Sequence, residues 1–253
     1  MTRIMLSGCN GRMGQNIAAA LKDRGDIRIV AGVDIAAGGR DGFPVYTDPS
    51  EYDGECDVVV DFSSPAALDS LLRYCTDKKL PLVLATTGHT DTQLRQIEDV
   101  AERIAIFRSA NMSLGINLLT ELARQTAKLL AGSYDIEIVE RHHNQKLDAP
   151  SGTALALANA IRAALPFETE NVYERQSVHR KRGQNEIGMH AVRGGTIVGE
   201  HEIIFAGPDE VIELKHSALS RGVFAGGAIK AAGFMPGRAP GLYGMQDLIA
   251  EII

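Results

Sequence analysis

The sequence predicts an α/β protein: a Rossmann-type doubly wound parallel sheet plus a second, α+β domain with a mixed or antiparallel sheet. Three observations carry this. In the first part of the chain, short and wholly apolar runs alternate with helical stretches, the pattern of strands covered on both faces by helices. A glycine-rich turn, Gly8-Cys9-Asn10-Gly11-Arg12-Met13-Gly14, joins the first of those runs to the first helix. After Ser113 the texture changes to a long amphipathic helix and then to closely spaced strands divided by Gly195 and by Gly207-Pro208-Asp209.

Taken in order, residues 3–6 read as a strand and residues 14–24 as a helix with Ile17 and Leu21 one turn apart. Residues 27–33 and 57–62 are further strands. Ser64-Pro65 opens a helix, with Ser64 as its cap and proline in the first turn. Residues 82–85 and 104–107 are buried strands flanking a helix over residues 92–102. Residues 114–130 form a helix with Leu118, Leu122 and Leu129 at helical spacing. The β-branched run at residues 135–139 is a strand ending just before His142, and an Ala/Leu-rich helix spans residues 154–165, ahead of Pro166. Residues 188–193, 196–205 and 211–216 read as a β-meander, and the tail, residues 225–234 and 242–252, as helical. The expected division is a dinucleotide-binding domain of residues 1–112 and 222–253 and a substrate-binding and oligomerisation domain of residues 113–221.

At 253 residues, with 45% hydrophobic and 23% charged, the chain has ordinary globular composition and length for one large or two smaller domains. A net charge of −6 argues against a nucleic-acid partner. The local exception, His179-Arg180-Lys181-Arg182 preceded by Arg175, reads as a solvated loop or as a patch for an anionic ligand. Cys9, Cys56 and Cys75 form no CxxC pair and point to neither a disulfide framework nor a zinc site. The chain enters a strand at once, without a charged-then-apolar leader, and no apolar run approaches membrane-spanning length. A cytoplasmic protein without a membrane partner is expected.

The glycine turn has the form G-x-x-G-x-x-G, a variant of the dinucleotide fingerprint, and is weakly specific by itself. Its context strengthens it: a strand before, a helix after, and Asp34 at the end of the second strand, 20 residues past Gly14. Such glycines permit the tight turn and the passage of a pyrophosphate close over the helix start, while the acid binds the adenosine ribose hydroxyls. The residues read as cofactor-binding are Gly8, Cys9, Asn10, Gly11, Arg12, Met13 and Asp34. Ala85, Thr86 and Thr87 join them, as do Ser109, Ala110, Asn111 and Met112, on two loops at the carboxyl ends of sheet strands, where ligands bind in open α/β folds.

The most specific segment is ERHHNQKLDAPSGTA, residues 140–154, between a strand and a helix. A helix start presents unpaired N–H groups and a positive dipole end, and no Asp or Glu stands in this first turn. Ser151 or Thr153 can cap the helix, Gly152 lets a ligand approach the backbone, and His142, His143 and Lys146 supply proton donors close by. The segment reads as a pocket for a carboxylate or phosphate with an acid beside it.

In these motifs the chain resembles the dihydrodipicolinate reductase family, also called 4-hydroxy-tetrahydrodipicolinate reductases, of lysine and diaminopimelate biosynthesis. The likeness covers essentially the whole chain: GCNGRMG at residues 8–14, DFSSP at 61–65, TTG at 86–88, SANMSLGIN from Ser109, RGGTIVGEH from Arg193, and the 140–154 segment. It implies reduction of a cyclic dicarboxylate by NAD(P)H, with loss of water along the way. It also implies Lys146 as proton donor, His142 as proton donor or acceptor, His143 as a substrate ligand, Gly152 and Thr153 as carboxylate ligands, and a homotetramer built through the second sheet. Some members hold the 2′-phosphate of NADPH with an arginine directly after the acid and another where Ser64 stands. Here those positions are Ile35 and Ser64, so NADH is expected to be preferred and NADPH to remain usable, with Arg12 and Arg40 as substitute cations.

Other classes fit part of the pattern. An aspartate dehydrogenase-like imine reductase explains the fingerprint and Asp34 but not the His-His-x-x-Lys and Ser-Gly-Thr constellation. A dinucleotide-sensing regulator would want a DNA-binding helical segment, which the sequence lacks. Adjacent histidines are poor metal-ligand spacing, so no metal site is expected.

Overall fold

The computed structural model describes residues 1–40 and 42–252. In chain order the elements are β1 (Thr2–Ser7), α1 (Arg12–Leu21), β2 (Ile27–Val33), β3 (Gly38–Arg40), β4 (Phe43–Tyr46), β5 (Val58–Asp61), α2 (Leu68–Lys78), β6 (Leu82–Leu84), α3 (Asp91–Ala101) and β7 (Ala105–Arg108). There follow α4 (Leu114–Leu130), β8 (Asp135–His142), α5 (Gly152–Ala164), β9 (Glu170–Val172), β10 (Glu186–Arg193), β11 (Gly199–Ala206) and β12 (Val211–Ala218), then α6 (Gly222–Phe234), β13 (Gly241–Tyr243) and α7 (Met245–Ile252). The chain divides into two units, residues 1–114 with 221–253 and residues 115–220. Among the described residues, no helix is long and apolar enough to cross a membrane.

The first unit is built on a sheet of order β13-β7-β6-β5-β1-β2-β4-β3, parallel throughout except for β3 at one edge. Its apolar runs are explained by two cores, one on each face. Ile4, Leu6, Val58 and Val60 face the layer of α1, α6 and α7, while Met5, Val59, Leu82 and Leu84 face α2 and α3. Because side chains alternate along a strand, only an unbroken apolar run fills both layers. The chain runs from β1 outward to β2 and β4, then returns to the other side of β1 as β5, so the switch point lies at the carboxyl ends of β1 and β5.

The second unit is a five-stranded mixed sheet of order β12-β11-β8-β10-β9. One face packs Ile136, Ile138, Ile187, Met189, Ile203 and Phe205 against α4 and α5 through Leu119, Ala123, Leu157 and Ile161. The other face carries charge: Arg141 meets Glu202 at 2.9 Å, and Lys215 meets Glu200 at 3.2 Å.

Several expectations are corrected. The meander is not formed: β11 and β12 are an antiparallel hairpin, but β8 lies between β10 and β11. The Gly194-Gly195 connection, read as a hairpin turn, is hydrogen-bonded to the end of β8 instead, Gly194 N–H to His142 O at 2.9 Å and Asn144 N–H to Gly195 O at 3.2 Å. The tail is not wholly helical, because residues 241–243 add an edge strand beside β7. Ser64 makes no capping bond, and Pro65–Ala67 is a 3-10 turn leading into α2. β8 extends through His142, and α1 ends three residues earlier than expected, at Leu21. β3, β4 and β9 are too short to show a period in sequence.

The basic loop is neither solvated throughout nor an open anion patch. Buried Glu186 receives Arg175 at 2.5 Å and Arg180 at 2.7 Å, and with the Gly183 N–H these hold its carboxyl down at about 2, Arg175 contributing most. Arg182 donates to Asp135 at 2.8 Å, to Glu137 at 3.0 Å and to the Ile136 and Glu186 carbonyls. Arg175, Arg180 and Arg182 hold the loop to β8 and β10.

Candidate active site

In the first unit, Gly8 adopts φ +75°, a left-handed conformation, and a Cβ there would stand 2.6 Å from the Phe62 carbonyl oxygen. A Cβ at Gly14 would stand 2.3 Å from the Gly8 oxygen. The turn after β1 is thus folded tightly on itself and on the segment after β5, as only glycine permits. The first turn of α1 has no acidic residue and no side-chain cap, which leaves its N–H groups for an anion. Asp34 accepts from the Asn10 N–H at 2.8 Å and from the Ile35 N–H at 2.9 Å, so the acid is tied to the turn. A cavity of about 460 Å³ opens beside it, lined by Gly8, Gly11, Asp34, Thr47, Ser63 and Ser64 among others. The turn, acid and cavity suit a dinucleotide.

The other candidates divide. Cys9 and Met112 turn their side chains into the core, at 0% and 3% exposure, so only their main chain remains for a ligand. Ala85 is also buried. Ala110, Thr87 and Arg12 are exposed, and Met13 is half-buried. Ser109 and Asn111 shape their own loop: the Ser109 hydroxyl donates to the Asn111 carbonyl at 2.8 Å, and the Asn111 side chain accepts from the Ser113 N–H at 2.9 Å. Among the described residues, Thr86 Oγ1 is buried without a hydrogen-bond partner. Sequence reading missed Thr47, Ser63 and His89, whose Nε2 is likewise buried and unpartnered. The Arg40 side chain lies outside the described residues.

In the second unit, β8 places Glu140 and His142 on its inward face with Ile136 and Ile138. Glu140 is fully buried, and its carboxylate accepts from Arg193 Nη1 at 2.8 Å, Arg193 Nη2 at 2.7 Å and the Ser151 N–H at 3.0 Å, with His142 Nδ1 at 2.6 Å. Burial alone would raise its pKa, yet the hydrogen bonds and charges of Arg193 and His142 outweigh it and hold the carboxyl below the usual glutamate range. The His142 ring stands edge-on to His201, centroids 5.2 Å apart. Lys146 Nζ pairs with Asp148 at 2.8 Å, and His143 is half-buried.

Ser151 is the N-cap of α5, its hydroxyl accepting from the Ala154 N–H at 3.1 Å and lying 2.9 Å from His201 Nε2. That hydroxyl caps the helix, the role the sequence allowed it, and also meets His201. Gly152 is exposed with nothing near its missing Cβ, and Thr153 is half-buried on the same first turn. An anion there meets backbone donors and a dipole end, with no acidic residue in the first turn itself, although the Asp148 carboxylate reaches the Gly152 N–H. Glu140, Arg193 and His201 were missed in sequence; the available signal was an acid at an inward position of an otherwise apolar strand face.

A glycine-turn cradle with an acid at the end of β2, and a separate unit with an anion-binding helix start beside histidines and a lysine, define a dinucleotide-dependent enzyme of small anionic substrates. The family profile described as dihydrodipicolinate reductase, N-terminus, matches residues 2–112, and that described as dihydrodipicolinate reductase, C-terminus, matches residues 115–249. The 4-hydroxy-tetrahydrodipicolinate reductase of Clostridium tetani is 53% identical over 98% of this chain and 97% of its own. That of Caldanaerobacter subterraneus is 53% identical over 99% of each. A dipicolinate-bound dihydrodipicolinate reductase from Paenisporosarcina superposes with a TM-score of 0.81 at 26% identity, covering 98% of this chain and 99% of the other. The chain belongs to the dihydrodipicolinate reductase family.

Burial, with the charge of His142 second, pushes the His201 pKa down to about 4. Its folded value lies below the ordinary ~6.5, so its contribution to stability is full above about pH 6.5 and is lost as pH falls toward about 4. Native protein should therefore lose on the order of a few kcal/mol over that window relative to His201→Gln. Denaturant unfolding of both proteins at pH 4.5 and pH 7 reads the difference; parallel losses would remove His201 as the source.

Proposed function

We propose that this chain reduces 4-hydroxy-tetrahydrodipicolinate to tetrahydrodipicolinate with NAD(P)H, as a step of lysine and diaminopimelate biosynthesis. The observation that carries the proposal is the start of α5, with no acidic residue in its first turn and open space at Gly152, in the unit that also holds His142, His143 and Lys146. An aspartate dehydrogenase-like reductase gives no account of that constellation.

The dinucleotide would be held by the turn at Gly8, Asn10, Gly11, Arg12 and Met13, by Asp34, and by the loops at Ala85, Thr86 and Thr87 and at Ser109, Ala110, Asn111 and Met112, with Cys9 contributing main chain. When bound, reduced nicotinamide supplies the hydride. The main-chain N–H groups of Gly152 and Thr153, the Thr153 hydroxyl and His143 hold substrate carboxylates, and Ser151 fixes the helix start that presents them. Hydride addition to a carbon conjugated with C=N drives negative charge into the rest of the conjugated system. The Lys146 ammonium stabilises that charge and delivers a proton from Nζ, with His142 exchanging a second proton. Asp148, paired with Lys146 at 2.8 Å in the structure, holds the ammonium in place.

Native protein should oxidise NADH with the cyclic dicarboxylate and not with oxaloacetate plus ammonia. Lys146→Ala should lose about 10²–10⁴-fold in kcat while still binding NADH, as expected for loss of a general acid. Near-normal kcat with only a raised KM would reduce the lysine to a carboxylate clamp.

NADH should be preferred. A 2′-phosphate beside the Asp34 carboxylate meets repulsion on the order of several kcal/mol before solvent and counterions reduce it. Ile35, 98% exposed, supplies no cation, and Arg12, exposed on α1, loses rotamer freedom if it must be fixed. The kcat/KM ratio at one ionic strength should favour NADH in native protein and shift toward NADPH in Ile35→Arg. Equal use of both cofactors by native protein would assign the compensating charge to Arg12 or Arg40.

We assign the outer face of the five-stranded sheet to assembly into a homotetramer. Val192 and Val211 are 44% and 57% exposed there, and the charges between them are largely paired already. Light scattering in line with size exclusion should give four chains at micromolar protein; a monomer would rule this out.

A further inference from the structure

Every partner of the Glu140 carboxylate is a donor. Oε1 accepts from Arg193 Nη2 and the Ser151 N–H, and Oε2 accepts from Arg193 Nη1 and faces His142 Nδ1 at 2.6 Å. A fully buried carboxylate met by a bidentate guanidinium and a backbone N–H remains ionised, so the proton in the short contact belongs to His142 Nδ1. Nε2 is then the nitrogen left for exchange. Among the described residues it carries no hydrogen bond. A Cβ on Gly199 would stand 3.1 Å from it, so the glycine leaves that edge of the ring uncovered.

We infer that Glu140, clamped by Arg193, is a positioning residue that fixes His142 in the Nδ1–H tautomer and reserves Nε2 for proton exchange with the substrate. This rests on the proposed role of His142 as proton donor or acceptor. Three elements share the task. β8 carries the acid and the histidine two residues apart, hence on one face, β10 brings Arg193, and the start of α5 brings the Ser151 N–H. Arg193 Nη2 also donates to the Asp148 carbonyl at 2.7 Å, which ties the clamp to the loop bearing Lys146. The His201 ring walls the other side of His142 at an interplanar angle of 74°, restricting rotation that would carry Nδ1 off the acid. The same logic governs metal-bound and triad histidines, where a carboxylate on one nitrogen sets the role of the other.

The geometry gives Glu140→Gln a specific consequence. A glutamine keeps the shape but must aim its NH₂ at one of the two oxygen positions. At the Oε1 position it would face two donors that cannot change, Arg193 and the Ser151 N–H. At the Oε2 position it faces Arg193 and His142, and His142 alone can turn from donor to acceptor by moving its proton to Nε2. The substitution should therefore switch the tautomer rather than displace the ring.

The test uses full-length protein with ¹⁵N-labelled histidine, His142 being assigned from the resonances absent in His142→Gln. At a pH where the ring is neutral, long-range ¹H–¹⁵N spectra of native protein should show a protonated Nδ1 and a bare Nε2. A native ring protonated on Nε2 overturns the inference whether or not any variant folds. In Glu140→Gln the pattern should reverse, with kcat lowered about 10²-fold or more and KM within a few-fold, the split expected when a wrong tautomer impairs chemistry. His142→Gln should fall as far, and the double variant no further. Native kcat in His142→Gln would remove the proton-exchange role of His142 itself. A slow His142→Gln beside a Glu140→Gln with native kcat would remove only the positioning role.

Discussion

A charge with no access to water organises the second unit. Burying the Glu140 carboxylate is costly unless its lone pairs are filled, and here they are filled from three directions, by β8, β10 and the first residue before α5. Those requirements fix more than one side chain. Arg193 must lie at the end of β10, which pairs in parallel with β8 and brings Arg193 level with His142. The Ser151 N–H must point at the acid, which orients the first turn of α5 and leaves the following residues to face a ligand. The polar network thus sits at the end of an apolar layer formed by Ile136, Ile138, Ile203 and Phe205, rigid on one side and open on the other.

The first unit reaches its binding surface by a different route. Its sheet is filled on both faces by alternating side chains, and the ligand-facing atoms are mostly backbone. The turn after β1 passes so close to itself and to Phe62 that side chains are excluded, and Gly227 of α6 meets the same demand behind it: a Cβ there would stand 1.7 Å from the Met112 oxygen. Shape, with little side-chain chemistry, prepares this unit for a dinucleotide.

Much of this was legible in the sequence because the signals are local. Unbroken apolar runs, a strand-turn-helix bearing glycines, and the Ser-Gly-Thr start of α5 each declare themselves within a few residues. Strand order does not. β10 and β11 are neighbours in sequence but flank β8 in space, and nothing in the five residues joining them distinguishes a hairpin from a step across a strand end. The same limit hid Arg193, which is 53 residues from the acid it clamps, and the contact of the Ser151 hydroxyl with His201, 50 residues further on. The arginines of the 175–182 loop looked free for want of Glu186 and Glu137, whose inward or half-buried placement depends on the sheet.

The two backbone bonds to Asp34 bear on how cofactor choice can drift. Its carboxylate braces the glycine turn through Asn10 and begins the next segment through Ile35, so replacing it alters the proposed ribose contact and loosens the turn together. Residue 35 contributes only its N–H to that arrangement, and its side chain is almost entirely in solvent. Lineages of this enzyme can therefore exchange side chains at position 35 at little structural risk while the acid stays fixed. On the proposed role of Asp34, adaptation to a cell's supply of reduced dinucleotides is open at the neighbouring residue and closed at the acid itself.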